Sequence, residues 1–248
     1  MAFRRLLLKE LKGTVLPAGG FAVLALLWCL FLASRVGTWD PNHVTALAYA
    51  PLLVLPVWAA GTAYYGLHVE WSTNTSQLLL ALPLRGWTTA GAKALAVQLG
   101  FTALSLLCVG GLALVAPDAL RELYNPRVPQ PWALPLWLYV GYWLFTAVAV
   151  VVGQFTFLAG RMVPRFRGPV SGVAFFVVSW LLFRLGALLS PLFAWVPDVT
   201  LRTGSMVGEN VAQVSTSTVN TAPVATVLFL AAGLFALNGW FLEREVEV

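Results

Sequence analysis

Apolar residues gather along the chain into six long runs, at about 14–34, 44–67, 94–116, 132–160, 169–189 and 223–241, with short polar stretches between them. A helix of roughly 20 residues crosses a bilayer's hydrocarbon core. The pattern therefore predicts an all-α integral membrane protein of six transmembrane helices, a single transmembrane domain over 1–248. Ahead of the first run, residues 3–12 follow a different rhythm: Phe3, Leu6, Leu7 and Leu11 fall on one helical face, with Arg4, Arg5, Lys9 and Lys12 mostly opposite. Such a pattern predicts an amphipathic interfacial helix over 1–13, lying in the headgroup plane. The same residues read equally well as a positive flank that sets topology. The first run is too long for the apolar part of a cleaved secretory signal, and five more follow it.

Two of the polar stretches carry structure of their own. Residues 70–93, EWSTNTSQLLLALPLRGWTTAGAK, lie between the second and third runs. Ser72, Thr73 or Thr75 can cap a helix start, Leu78, Leu79 and Leu80 supply an apolar face, and Pro83 disfavours helical geometry at Leu82. A short helix joined to two spans can transmit a push; alternatively, its leucines simply lie in lipid. Residues 190–222 form the longest external segment, and Phe193, Trp195 and Val196 make its first half apolar enough to re-enter the interface. An ordinary surface loop is the other reading, while 117–131, rich in proline and charge, reads as solvated.

Composition and charge add direction. Hydrophobic residues make up 59% of the chain and charged ones 10%, against about 25% charged in a soluble domain. Lys and Arg favour cytoplasmic loops. Cytoplasmic termini put Arg4, Arg5, Lys9, Lys12, Arg85, Lys93, Arg161, Arg165, Arg167 and Arg244 inside and only Arg35, Arg121, Arg127 and Arg202 outside. Topology thus accounts for the net charge of +5, and no nucleic-acid partner is called for.

Several chemistries are excluded by residue type. Cys29 and Cys108 both fall within spans and read as small buried hydrophobes rather than a disulfide or metal pair. Residues 86–93, GWTTAGAK, resemble a phosphate-binding loop, but Ala92 separates glycine from lysine and Ala94 stands where a magnesium-ligating Ser or Thr belongs. No acidic residue is expected deep in a span, and no pattern of an intramembrane protease is present, so no catalytic role is assigned. Arg184 is the costly exception in the fifth run, since a central arginine costs at least about 2.5 kcal/mol on insertion scales. It lines a translocation path or an interface, or it snorkels outward. Gly168 and Gly172, four apart, permit close helix packing, and Gln98, Gln154 and Asn238 are expected to hydrogen-bond between helices.

The order and spacing of Glu70, Thr75, Leu78-Leu79-Leu80, Pro83 and Lys93 resemble the permeases of ABC-2 type transporters. Family members carry a glutamate, a threonine five residues on, a leucine-rich turn, a Leu-Pro pair and a lysine opening the third span. The basic start, six spans and long last external segment fit the same plan, whereas uncharged Trp71 to Asn74 depart from it. The resemblance implies an ABC-2 (type V exporter-like) permease fold in the cell membrane of a bacterium. It implies a dimer with a second copy or a paralogous permease, and separate ATPase subunits that hold the ATP and Mg2+, with no cofactor bound by this chain. Glu70, Thr75, Gln77, Leu78 and Leu82 would then form or flank the ATPase-docking surface of a coupling helix within 70–93. Pro83 would end that helix, Lys93 would anchor the third span, and 190–222 would form a re-entrant outer gate. A gradient-driven transporter or channel, expected to carry broken helices, inverted repeats or deep acidic residues, and a non-transporting scaffold are the competing classes.

Overall fold

A computed structural model describes residues 2–73, 85–123, 132–207 and 210–244, without the side chains at 2, 122–123, 164 and 202–215. Its helices are α1 (Ala2–Ala33), α2 (Pro41–Ala48), α3 (Ala50–Ser72), α4 (Gly86–Val115), α5 (Pro117–Leu123), α6 (Ala133–Arg161), α7 (Arg167–Leu189) and α8 (Ala222–Arg244). Two strands, β1 (Val199–Val207) and β2 (Asn210–Val219), lie between α7 and α8. Six helical stretches among the described residues are long and apolar enough to cross a membrane: Phe3–Ala33, Pro41–Ser72, Gly86–Val115, Ala133–Arg161, Arg167–Phe193 and Ala222–Arg244. The chain is a multi-pass membrane protein.

The helices depart from the apolar runs mainly at their ends. The expected interfacial helix is not a separate element: α1 runs unbroken from Ala2 to Ala33, about 48 Å at 1.5 Å per residue. A 30 Å hydrocarbon core cannot cover that length, so its first turns carry Arg4, Arg5 and Lys9 beyond the apolar layer while staying in line with the span. Leu6 turns inward against Ala92, whereas Phe3 remains exposed. The second span is built from two helices parted at Tyr49, and α2 begins with Pro41 behind an Asp40 cap that accepts from the Asn42 N–H at 2.8 Å.

The centre of the bundle is made by α4 and α6. α4 packs against α1, α3 and α8, and α6 against α3, α7 and α8. Within their most apolar windows, 44% of α4 is buried but only 11% of α1 and of α7, which leaves those two helices broad outward faces. Without a hydrophobic drive between helices in lipid, close approach depends on small residues and interhelical hydrogen bonds. Gly153 on α6 lies so near α3 that a Cβ there would run into the Ala60 carbonyl. The spacing of Gly168 and Gly172 proves misleading, because both face open space; Ser171 between them packs on Gly160 of α6 instead. The three polar residues do link helices as expected. Gln98 donates to the Trp143 carbonyl (3.1 Å), Gln154 to that of Ala90 (3.0 Å) and Asn238 to that of Val151 (3.0 Å).

Among the described residues between α7 and α8 there is no re-entrant helix. A single 3-10 turn, Ser190–Phe193, leads to an antiparallel hairpin in which Val199 pairs with Val219 and Val207 with Asn210, with a register irregularity at Ser205/Met206. β-branched Val and Thr recur through both strands and suit this pairing. A lone hairpin is marginal in water, and this one rests β1 against α6, with Thr221 Oγ1 donating to the Pro197 carbonyl at its base.

Candidate functional site

α1, α3 and α4 bring four charges together at one end of the bundle. Lys93 lies seven residues into α4, and its side chain is only 4% exposed because α1 and α3 close over it. Its ammonium donates to Glu10 Oε2 on α1 at 2.9 Å and to the Gly66 carbonyl at 3.1 Å, and pairs by charge with Glu70 Oε2 on α3 at 2.8 Å. Glu70 Oε1 accepts from Lys9 at 2.8 Å, and Lys9 lies 3.8 Å from Glu10 Oε1. The circuit Lys9–Glu70–Lys93–Glu10 alternates in sign and sums to zero. Its interior members are covered, and Lys9, with 58% of its side chain exposed, forms the wet edge.

Burying such groups costs several kcal/mol per ion, offset only where partners and hydrogen bonds are complete. The geometry here is close to complete for Lys93. A cleft of about 230 Å³ opens beside the circuit, and Thr14, Pro17, Thr62 and Tyr65 lie along it. The two carboxylates therefore sit on spanning helices next to a cavity, in turns that lie outside the apolar runs. The cause is tertiary: α1 stays helical past its apolar run, and α3 and α4 extend a turn or more beyond theirs.

Neighbouring contacts fasten the same end. Gly86 begins α4, and its N–H donates to Glu243 Oε1 at 2.9 Å, so the last turn of α8 caps the first turn of α4 with a carboxylate suited to the positive end of a helix dipole. A side chain at Gly86 would collide with the Gly239 carbonyl. Trp71 packs at a tilt against Phe157, ring centroids 5.5 Å apart, and the Arg161 guanidinium lies 5.4 Å from the Trp71 ring. Leu67, Ala90, Phe157, Leu158 and Leu242 form the apolar layer beneath. Residues 86–93, the near-miss phosphate loop, are the opening turns of α4 and leave no loop to cradle a phosphate.

Of the residues singled out in 70–93, the structure brings Glu70 and Lys93 into contact. Thr75, Gln77, Leu78, Leu82 and Pro83 lie outside the described residues. Of the amino-terminal set, Lys9 joins the circuit, Arg4, Arg5 and Lys12 are exposed, and Leu7 is half-buried. Arg184 is exposed on α7 and takes no part. Sequence reasoning missed Glu10 and Glu243. Glu10 did leave a signal, as the one acid amid Arg4, Arg5, Lys9 and Lys12, whose helix buries it on the side facing α4. Among the described residues, no group of three His, Cys, Asp or Glu side chains is placed to hold a metal ion. No protein-family profile, no curated protein and no solved structure matches the chain.

Proposed function

We propose that this chain is the permease subunit of an ATP-driven exporter of the ABC-2 kind, dimeric in its membrane, with the charged end and both termini cytoplasmic. ATP and Mg2+ belong to separate ATPase subunits that dock on the 70–93 segment. The observation that carries the reading is the circuit of Lys9, Glu10, Glu70 and Lys93, which ties both stumps of residues 74–84 to each other and to α1. A displacement delivered to that segment would reach three spanning helices at once. The concentration of Arg and Lys at the same end agrees with a cytoplasmic face.

The test is co-purification with the Walker-A ATPase that this reading requires. Leu78→Glu is expected to abolish co-purification and coupled ATP hydrolysis while leaving the permease monodisperse. Retained binding and hydrolysis would overturn the docking assignment. One feature favours a second class, a gradient-driven transporter: Glu10 and Glu70 lie buried beside an open cleft, where carboxylates serve proton or cation coupling. Liposomes holding the chain alone and loaded with a pH-sensitive dye separate the two, because an imposed proton gradient should dissipate faster than in empty vesicles only in the second class.

A further inference from the structure

Arg184 lies on a helix with little protein around it. α7 carries no acidic residue over Arg167–Leu189, and Arg184 is exposed, with no hydrogen bond or ion pair among the described residues. From Arg167 to Arg184 is about 26 Å along the helix at 1.5 Å per residue. In a hydrocarbon layer of about 30 Å, that puts the guanidinium one snorkelling side chain short of the headgroups opposite the charged end.

The neighbouring surface is concave and apolar. A groove of about 260 Å³ runs between α6, α7 and α8, lined by Gly141, Leu144, Phe145, Phe183, Ala187 and Val224. Phe145 and Phe183 stack across it, ring centroids 6.2 Å apart. Arg184 follows Phe183 and precedes Ala187 by three, so the helical repeat puts it on the groove's rim. We propose that this groove binds a bilayer phospholipid with a net negative headgroup, its acyl chain along Phe145 and Phe183 and its phosphate on the Arg184 guanidinium. The apolar lining matches an acyl chain, and a cation at headgroup depth without an ion pair among the described residues matches an acidic head. α6 offers no acidic residue at all, and the Glu243 carboxylate of α8 lies at the opposite end, capping α4. An ammonium-bearing head would therefore find no counter-charge on these helices. The inference is independent of the ATPase-docking reading.

Purified protein in micelles, supplied with equal phosphatidylglycerol and phosphatidylcholine, should retain the former in about fivefold preference by native mass spectrometry, the effect of one cation at headgroup level. Arg184→Gln should bring the two lipids to parity, and Arg184→Lys should keep part of the preference. A Cβ at Gly141 meets nothing within 4 Å, so Gly141→Leu should fill the groove and reduce retention of both lipids without unfolding. A phosphatidylglycerol with a photoactivatable acyl chain should label peptides containing Phe145 or Phe183 in the unaltered protein, which needs no variant to fold. Undiminished preference in Arg184→Gln, labelling confined to other helices, or disulfide cross-linking of two Arg184→Cys copies through this face would each overturn the proposal.

Discussion

The two ends of the bundle are held together by different physics. At the charged end, α1, α3 and α4 meet through four alternating charges, and α8 closes on α4 through a carboxylate. At the other end, Leu32, Val44, Leu112 and Val115 pack as an apolar cluster, and neutral bonds such as Trp28 Nε1 to the Leu47 carbonyl (2.9 Å) and the Tyr142 hydroxyl to the Leu52 carbonyl (2.6 Å) add direction. Apolar packing degrades gradually as groups are removed, whereas a buried charge without its partner is a large penalty. The charged end is therefore the one at which a small chemical change produces a large structural response, and it is also the end from which residues 74–84 emerge.

The largest expected effect follows from Lys93→Met, which takes from the covered carboxylates of Glu10 and Glu70 the ammonium that bridges them. A loss of about 3–5 kcal/mol is expected, read as a fall in thermal midpoint in detergent. Adding Glu70→Gln to Lys93→Met should recover part of that loss, since one of the two carboxylates that Lys93 bridged loses its charge; a double variant less stable than the single one would show that charge balance is not what holds this end. Next in size, Gly153→Leu forces α3 and α6 apart at Ala60, at about 1–3 kcal/mol or more for overpacking. That loss should be independent of the charge variants, so a triple variant is expected to be additive.

Smaller effects belong to the neutral end and to the wet edge of the circuit. Tyr142→Phe removes one hydrogen bond to the Leu52 carbonyl and should cost about 1 kcal/mol, read as a small fall in thermal midpoint. Lys9→Met is expected to cost under about 1 kcal/mol, because the lysine is largely solvated and Glu70 keeps Lys93. Raising the salt concentration should erase most of the difference between Lys9→Met and the parent while leaving the Lys93→Met loss in place, since exposed charges are screened and buried ones much less so. Equal salt sensitivity in both would mean that water reaches Lys93.

Much of the architecture was readable from residue order. The six spans follow from apolar length, and the bonding of Gln98, Gln154 and Asn238 follows because a polar side chain within a span has few partners other than another helix. Local spacing was a poorer guide to packing. Gly168 and Gly172 have the favoured interval yet face open space, while Gly153, four residues after Ala149, makes the close approach. The 190–222 segment read as loop or re-entrant helix because its aromatic first half dominated, and its strand-forming Val and Thr residues were overlooked. In the candidate site, Glu70 and Lys93 were flagged at the two ends of one motif, 23 positions apart, with nothing in the sequence to bring their side chains into contact.

The sequence by itself determined that this chain lives in a bilayer and roughly where it crosses, because transfer of apolar and charged groups is set residue by residue. It also determined which end carries the positive charge. Only the tertiary structure decided that α1 continues past its apolar run to deliver Lys9 and Glu10 to α3 and α4, and that Arg184 stays exposed on α7 instead of entering the bundle. Those outcomes depend on distances between helices remote in sequence, where a carboxylate 3 Å from an ammonium and one 10 Å away read identically along the chain but differ by several kcal/mol once water is excluded.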